Sequence, residues 1–397
     1  MTQSLGTYFL LLFAILVGWL LGRMSVKKSE SSKRDTKEIF SDYFVGLNYL
    51  LNNEPDEAID TFIKSLEINS DTAETHLALG ALLRRRGKVD KAITIHQMLV
   101  SRSGLDKAFS ESVSLQLALD YIAAGLLDRA ESLLVQILDS GSVVKCDALR
   151  HLITIYQTEK DWLKAIESST LLLKNKNYKR DNDIRGAAAH FCCELTELFL
   201  DNDENIKAKE QLKKAFSFDS KSIRASLLLA RIEQNLGNFK AAIKELVRIR
   251  NNHPEFTSQV LGPLAECYEE ISDITEYEQL LTNSLSKGPD TEAVLVLSEL
   301  VRKNSGDGAA ITFLSEYLTK KPSLIGLLEL LRLQIPRVDS AVSSNLNLLH
   351  QMIEKLIQKK LAYQCNHCGY ELMSLYWLCP SCQKWDKIKP ILEPEGL

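Results

Sequence analysis

DYFVGLNYLLNNEPDEAIDTFIKSL, residues 42–66, reads as two helices brought together at small side chains. Gly46 is followed three residues later by Tyr49, Ala58 lies twelve residues after Gly46, and Phe62 comes four after Ala58. Antiparallel helices approach closely only where side chains are small, so Gly46 and Ala58 mark the crossing. Tyr49 and Phe62 fill the space on either side of it.

The arrangement recurs. Gly80, Leu83 and Ala92 repeat it, then Ala118, Tyr121 and Ala130. Tyr156 with Ala165, Phe199 with Ala208, and Ala230 with Ala242 supply the fourth to sixth copies. A degenerate copy runs through residues 264–281, and an eighth holds Leu297, Ala310, Leu314 and Pro322. The second-helix alanines at 58, 92, 130, 165, 208, 242 and 310 are spaced by 34, 38, 35, 43, 34 and 68 residues, the last being two periods. A period near 34 with this small-then-aromatic pattern resembles the tetratricopeptide repeat (TPR). A single copy cannot bury its apolar face, so the expected fold is all-α: about eight repeats over residues 39–322 stacked into a superhelical solenoid. Two further helices follow in residues 323–361, separated by Pro336, and would cover the open end of the array. Gly87 and Gly237 are expected at helix–helix turns, and the charged stretch KNKNYKRDND, residues 174–183, as an exposed loop.

Composition agrees with stacked helices. A chain of 397 residues exceeds one compact core, but a solenoid escapes that limit. Glycine and proline are sparse, at 18 and 9, as helices joined by short turns require. The net charge of −4 offers no bulk cationic field for nucleic acid.

Residues 5–22, LGTYFLLLFAILVGWLLG, are almost entirely apolar and uncharged. Eighteen helical residues reach roughly 27 Å, close to the hydrocarbon thickness of a bilayer. No Lys or Arg precedes the run and no Ala-x-Ala follows it, so residues 1–22 read as an uncleaved transmembrane anchor and not as a signal peptide. Arg23, Lys27, Lys28, Lys33, Arg34 and Lys37 outnumber Glu30, Asp35 and Glu38 just beyond it. The positive-inside tendency then places the bulk of a single-pass chain on the cytoplasmic side, with residues 23–38 as a basic tether.

Of eight cysteines, Cys146, Cys192, Cys193 and Cys267 lie in repeats at no recurrent spacing and read as free thiols. The other four form Cys365-Asn-His-Cys368 and Cys379-Pro-Ser-Cys382, ten residues apart, within a terminal segment 362–397. Each Cys-x-x-Cys pair can turn tightly and aim both sulfurs at one point, and two such turns make a tetrahedral thiolate site for one iron or zinc ion. Four thiolates fill the coordination sphere, which is structural or electron-transfer chemistry and not hydrolysis. So short a tail cannot bury an adequate core, so the metal supplies much of its folding energy. Gly369 permits the sharp turn, and Tyr370, Tyr376, Trp377 and Trp385 are expected to form a small aromatic core. His367 reads as a bystander. The segment resembles a rubredoxin-type knuckle pair or zinc ribbon. Gln383 stands where a rubredoxin often has a second glycine, which argues against iron redox work.

The TPR resemblance also implies which residues face inward from the first helices. Carried over position by position, these are Arg84 and Arg85, Arg150 and Gln157, and Arg224, Arg231 and Asn235. Such a row of guanidinium and amide groups would suit the backbone or carboxylates of an extended peptide.

The order of modules — anchor, tether, repeat array, four-cysteine knuckle with CPSC, Trp385 and Lys389-Pro390 — resembles the lipopolysaccharide assembly protein B family of Gram-negative bacteria. That resemblance spans essentially the whole chain. It implies an inner-membrane adaptor that helps the membrane protease FtsH degrade the deacetylase LpxC, and that gathers other lipopolysaccharide synthesis and assembly proteins at the membrane. The residues themselves read as an anchored protein-binding scaffold and leave self-association open.

Other classes weigh less. There is no HExxH, phosphate-binding glycine loop or GxSxG, and the seven histidines share no motif, so an enzyme is not expected. Lys384, Lys387 and Lys389 beside Trp377 and Trp385 would make a small RNA-binding patch on a chain otherwise acidic. An iron-based electron-transfer protein and a generic membrane-tethered TPR co-chaperone or scaffold with structural zinc are the remaining alternatives.

Overall fold

The computed structural model describes residues 72–391, apart from 103, 105, 140–142, 288–289 and 359–361, together with a few isolated positions before 72. The expected anchor, tether and first repeat therefore lie outside the described residues. Among the described residues, no helix is long and apolar enough to cross a membrane.

The chain divides into two compact units, residues 1–148 and 149–397. In the first, α1 (Ala73–Arg85) and α2 (Val89–Val100) form one hairpin, and α3 (Lys107–Ala123) and α4 (Leu127–Asp139) the next. Helix α5 (Lys145–Glu159) carries the division. The second unit continues with α6 (Trp162–Leu173), α7 (Asn182–Asp201), α8 (Asn205–Phe218), α9 (Ile223–Asn235) and α10 (Phe239–Asn252). After a short 3-10 turn, Pro254–Phe256, come α11 (Thr257–Glu270), α12 (Ile274–Lys287), α13 (Thr291–Ser305) and α14 (Asp307–Lys320). Helices α15 (Leu324–Gln334) and α16 (Ser340–Gln358) flank a second 3-10 turn containing Pro336.

The small-residue argument holds at atomic level. Ala92, Ala130, Ala165, Ala208, Ala242 and Ala310 are all fully buried. At Gly80 a Cβ would sit 2.4 Å from Nε2 of His96 on the partner helix, so only hydrogen fits that crossing. The hairpin turns repeat in step: Gly87, Gly125, Lys160, Asp203, Gly237, Ser272 and Gly306 all adopt positive φ. A left-handed residue lets the chain leave one helix and enter the next within a few residues. Residues 174–181 of the charged stretch form a mostly exposed connection, and its last two, Asn182 and Asp183, already open α7.

The seventh repeat departs from the pattern for a visible reason. Pro263 lies inside α11, and its carbonyl accepts from the Gln234 side chain on α9 at 3.1 Å. Tyr268 and Tyr277 stack with ring centroids 5.3 Å apart, both buried, and the Tyr277 hydroxyl donates to the Leu261 carbonyl at 2.9 Å. Bulk at this crossing replaces the small residue used elsewhere.

One buried polar node locks the first unit. Asp120 is fully buried and accepts from Arg84 Nη1 at 2.7 Å and from His96 Nδ1. His96 Nε2 faces the Leu77 carbonyl at 3.2 Å. Both ring nitrogens of His96 thus have polar neighbours, and the Arg84 guanidinium supplies the charge that compensates the buried carboxylate.

Candidate metal centre

The terminal segment is a three-stranded antiparallel sheet in the order β2-β1-β3, with β1 at Tyr363–Cys365, β2 at Glu371–Leu372 and β3 at Ile388–Pro390. Two knuckles grow from it with matching backbone bonds. Cys365 N–H donates to the Tyr370 carbonyl at 2.8 Å, and Gly369 N–H to the Cys365 carbonyl at 2.8 Å. In the second knuckle Cys379 N–H donates to the Lys384 carbonyl at 3.0 Å, and Gln383 N–H to the Cys379 carbonyl at 2.9 Å. Gly369 and Gln383 occupy the same left-handed position, with φ of 78° and 56°. Gln383 accepts a conformation that glycine adopts freely, and its side-chain amide donates to the Pro380 carbonyl at 3.0 Å.

The four sulfurs of Cys365, Cys368, Cys379 and Cys382 lie within 4.8 Å of one another. Cys365 and Cys382 are 3.8 Å apart, and Cys368 and Cys379 are 3.7 Å apart. Metal–sulfur bonds of about 2.3 Å in a tetrahedron place sulfurs about 3.8 Å apart, so the donor set fits one zinc or iron ion. The Tyr370 backbone N–H aimed at Cys368 pulls its thiol down to about 7, whereas burial pushes the Cys382 thiol up to about 12, so the convergence of the four sulfurs and not their acidity carries the metal reading. His367 is not among the converging donors; its Nε2 lies 2.9 Å from Lys384 Nζ. The remaining thiols sit apart from this cluster. Burial pushes Cys192 up to about 12 and raises Cys193 and Cys267 as well, the mark of inert packed thiols.

The expected aromatic core of this segment is a correction. Tyr370 and Tyr376 are exposed, and the interior consists of Cys365, Leu372, Cys379 and Ile388 with Tyr363, Leu375 and Cys382 against them. Trp377 and Trp385 belong to another surface. Leu378 bridges Trp385 across the base of the second knuckle, and Asp386 N–H donates to the Trp377 carbonyl at 3.0 Å. That short ladder sets both indoles and the Asp386 carboxylate against the helices.

There they meet four first helices. The Trp385 ring stacks on His190 of α7 at 4.7 Å and 13°, and meets Phe191 edge-on at 5.9 Å. Its Nε1–H donates to Gln157 Oε1 on α5 at 2.8 Å. The Arg224 guanidinium of α9 lies 6.0 Å from the ring centroid. Trp377 stacks on Phe256 at 5.9 Å and 14°, Lys389 Nζ sits 4.7 Å from the same phenyl ring, and Gln259 of α11 donates to the Tyr363 hydroxyl at 2.9 Å. Charges frame the contact: Asp386 lies 2.8 Å from His190 Nε2, and Lys387 3.3 Å from Asp183. Burial opposes ionisation of Asp386, but the close approach of His190 and the charges of Lys389 and Lys387 outweigh it and hold the carboxyl below its usual range.

The row of first-helix residues is thus partly engaged by the chain itself. Arg224 is buried and forks onto Glu194 at 2.8 Å and Glu197 at 2.9 Å. Gln157 holds the indole. Arg84 is tied to Asp120 and to the Gln116 amide at 2.7 Å. Arg85, Arg150, Arg231 and Asn235 are exposed. Sequence reasoning missed His190, Phe256, Gln259 and Asp386. A histidine inside the apolar run AAAHFCC, and a Trp-Asp pair set among lysines, were the available signals.

Comparison with known proteins agrees with this centre. A family model described as a rubredoxin metal binding domain matches residues 363–390. Lipopolysaccharide assembly protein B of Escherichia coli (strain K12) is 32% identical over 98% of this chain and 99% of its own length. The protein of the same name from Haemophilus influenzae is 34% identical over 98% of both chains. Among solved structures, a tetratricopeptide repeat protein from Parabacteroides merdae is similar over 71% of this chain and all of its own, at 13% identity and a TM-score of 0.34.

Proposed function

The chain belongs to the lipopolysaccharide assembly protein B family, and from that membership we propose that it works as a non-enzymatic scaffold in lipopolysaccharide assembly. The observation that carries the reading is the unbroken similarity over 98% of the chain, which keeps repeat array and metal ribbon in one order. In finer terms, the apolar stretch 5–22 anchors the chain in the inner membrane with its bulk on the cytoplasmic side. The array then presents the deacetylase LpxC to the membrane protease FtsH and gathers other lipopolysaccharide synthesis and assembly proteins. Tethering beside a membrane protease raises the effective concentration of a client without requiring tight contacts. The metal of the four-cysteine site is structural in this scheme: it holds two knuckles whose outer residues grip the helices.

The test is the lifetime of the deacetylase in cells. Removing this chain should lengthen the LpxC half-life severalfold in cells that retain FtsH. An unchanged half-life would refute the adaptor role. Cell fractionation with and without residues 5–22 checks the anchor, and recovery of the shortened chain in the membrane pellet would refute that part alone.

A further inference from the structure

We propose that the face formed by Gln157, His190, Arg224 and Phe256 is a recognition site for peptide turns bearing Trp followed by Asp, with the ribbon's Trp385–Asp386, whose Asp386 is left-handed at φ 57°, as its resident ligand. Every element of such a site is on view. His190 and Phe191 make a stacked floor and an edge wall for an indole. Gln157 supplies an acceptor at 2.8 Å for the indole N–H, which a Phe or Leu in the same place would leave unused. Arg224, fixed by Glu194 and Glu197, lies beside the ring. His190 Nε2 stands 2.8 Å from the carboxylate that follows the indole. Asp183 and Glu255 then meet the lysines at 387 and 389 at 3.3 and 4.0 Å, so the face reads an aromatic, an acid and a base in sequence.

The resident ligand is removable in physical terms. Its own charged groups reach solvent, with the Asp386 side chain 39% exposed and Lys387 36%, and the Asp183 carboxylate that meets Lys387 is 77% exposed, while His190 beneath them is buried. The ribbon buries little apolar core of its own, so its fold, and with it the display of Trp385 and Asp386, depends on the metal. Because the ribbon is tethered, it competes at an effective concentration on the order of millimolar, and a client segment enters only when the ribbon is loosened or the segment is itself held nearby. Metal loading would thereby set access to the site. The proposal rests on the scaffold reading, but client half-life is measured separately, so the site can fail while the scaffold stands.

The experiment uses the full chain in detergent and a labelled peptide with the sequence of residues 383–390, QKWDKIKP, followed by fluorescence anisotropy. Trp385→Ala vacates the site, and its metal content and helical melting transition are checked against wild type. The peptide should bind Trp385→Ala at least about tenfold more tightly than metal-loaded wild type, and chelation of wild type should produce a similar gain. Peptides carrying Ala for Trp or Asn for Asp should lose most of that binding, as should the doubly changed Trp385→Ala, Gln157→Ala chain. Equal binding to wild type and variant, indifference to the peptide's Trp, or no binding to a variant that keeps its metal and its melt would overturn the proposal and leave a static domain contact.

Discussion

The indole N–H of Trp385 donates a 2.8 Å hydrogen bond to Oε1 of Gln157, 228 positions earlier in the chain. This bond joins the metal knuckle to the helical array. The metal site and the first-helix face are therefore parts of one surface, and changes in either should be felt in the other.

Trp385→Ala should undock the ribbon while sparing the helices. Truncating a buried Trp costs about 3–5 kcal/mol, and here the loss falls on a small module with little core of its own. Hydrogen exchange should speed up in residues 377–390 and across α7 and α9, with far-UV circular dichroism unchanged. Wild-type protection at those amides would contradict the docking role.

Cys365→Ser together with Cys368→Ser should abolish the one bound metal ion per chain. The environments of Trp377 and Trp385 should change in near-UV dichroism and fluorescence, and client turnover should fail although the protein still fractionates with membrane. Elemental analysis and client half-life read the two outcomes. Full turnover without metal would deny the site any functional part.

Asp386→Asn should weaken docking at neutral pH. The folded carboxyl is held below its usual value, so its contribution is present above the unfolded pKa of about 3.9 and disappears as pH falls through the lower folded value. The gap in ribbon protection between wild-type and variant metal-loaded protein should therefore persist at pH 5 and narrow only near pH 4 or below. A gap that closes between pH 7 and pH 5 would show that the carboxyl is not held down.

Gly80→Ala should destabilise the first unit by about 1–3 kcal/mol. The new Cβ would lie 2.4 Å from His96 Nε2, and the His96 ring is pinned by Asp120, which Arg84 pins in turn. Thermal unfolding should show the earliest transition moved down by several degrees. An unmoved transition would mean that the imidazole has room to retreat.

Arg150→Glu with Arg231→Glu should reduce capture of client proteins by the full chain. Both side chains are exposed on first helices. In-membrane crosslinking should recover less client at unchanged protein level; equal recovery would remove these two residues from the binding face.

Local rules carried much of this molecule. A period near 34 with alanine at each crossing specifies hairpins because close approach of helices is a short-range steric demand, and every described second-helix alanine proved fully buried. Two Cys-x-x-Cys pairs specify the metal site because each knuckle is a turn within six residues. The placement of Trp377 and Trp385 was not legible in this way. An indole inside a small ribbon and an indole set on a distant helix look the same in sequence, since burial of either follows from its apolar surface alone. Partners separated by 104 and 228 residues leave no periodic trace. The repeats and the thiolate cluster were thus determined by the order of residues along the chain. Which face of the array the ribbon covers, and that Gln157 and Arg224 serve it, was decided by the tertiary packing, because only there do shape, charge and an indole N–H find their counterparts together.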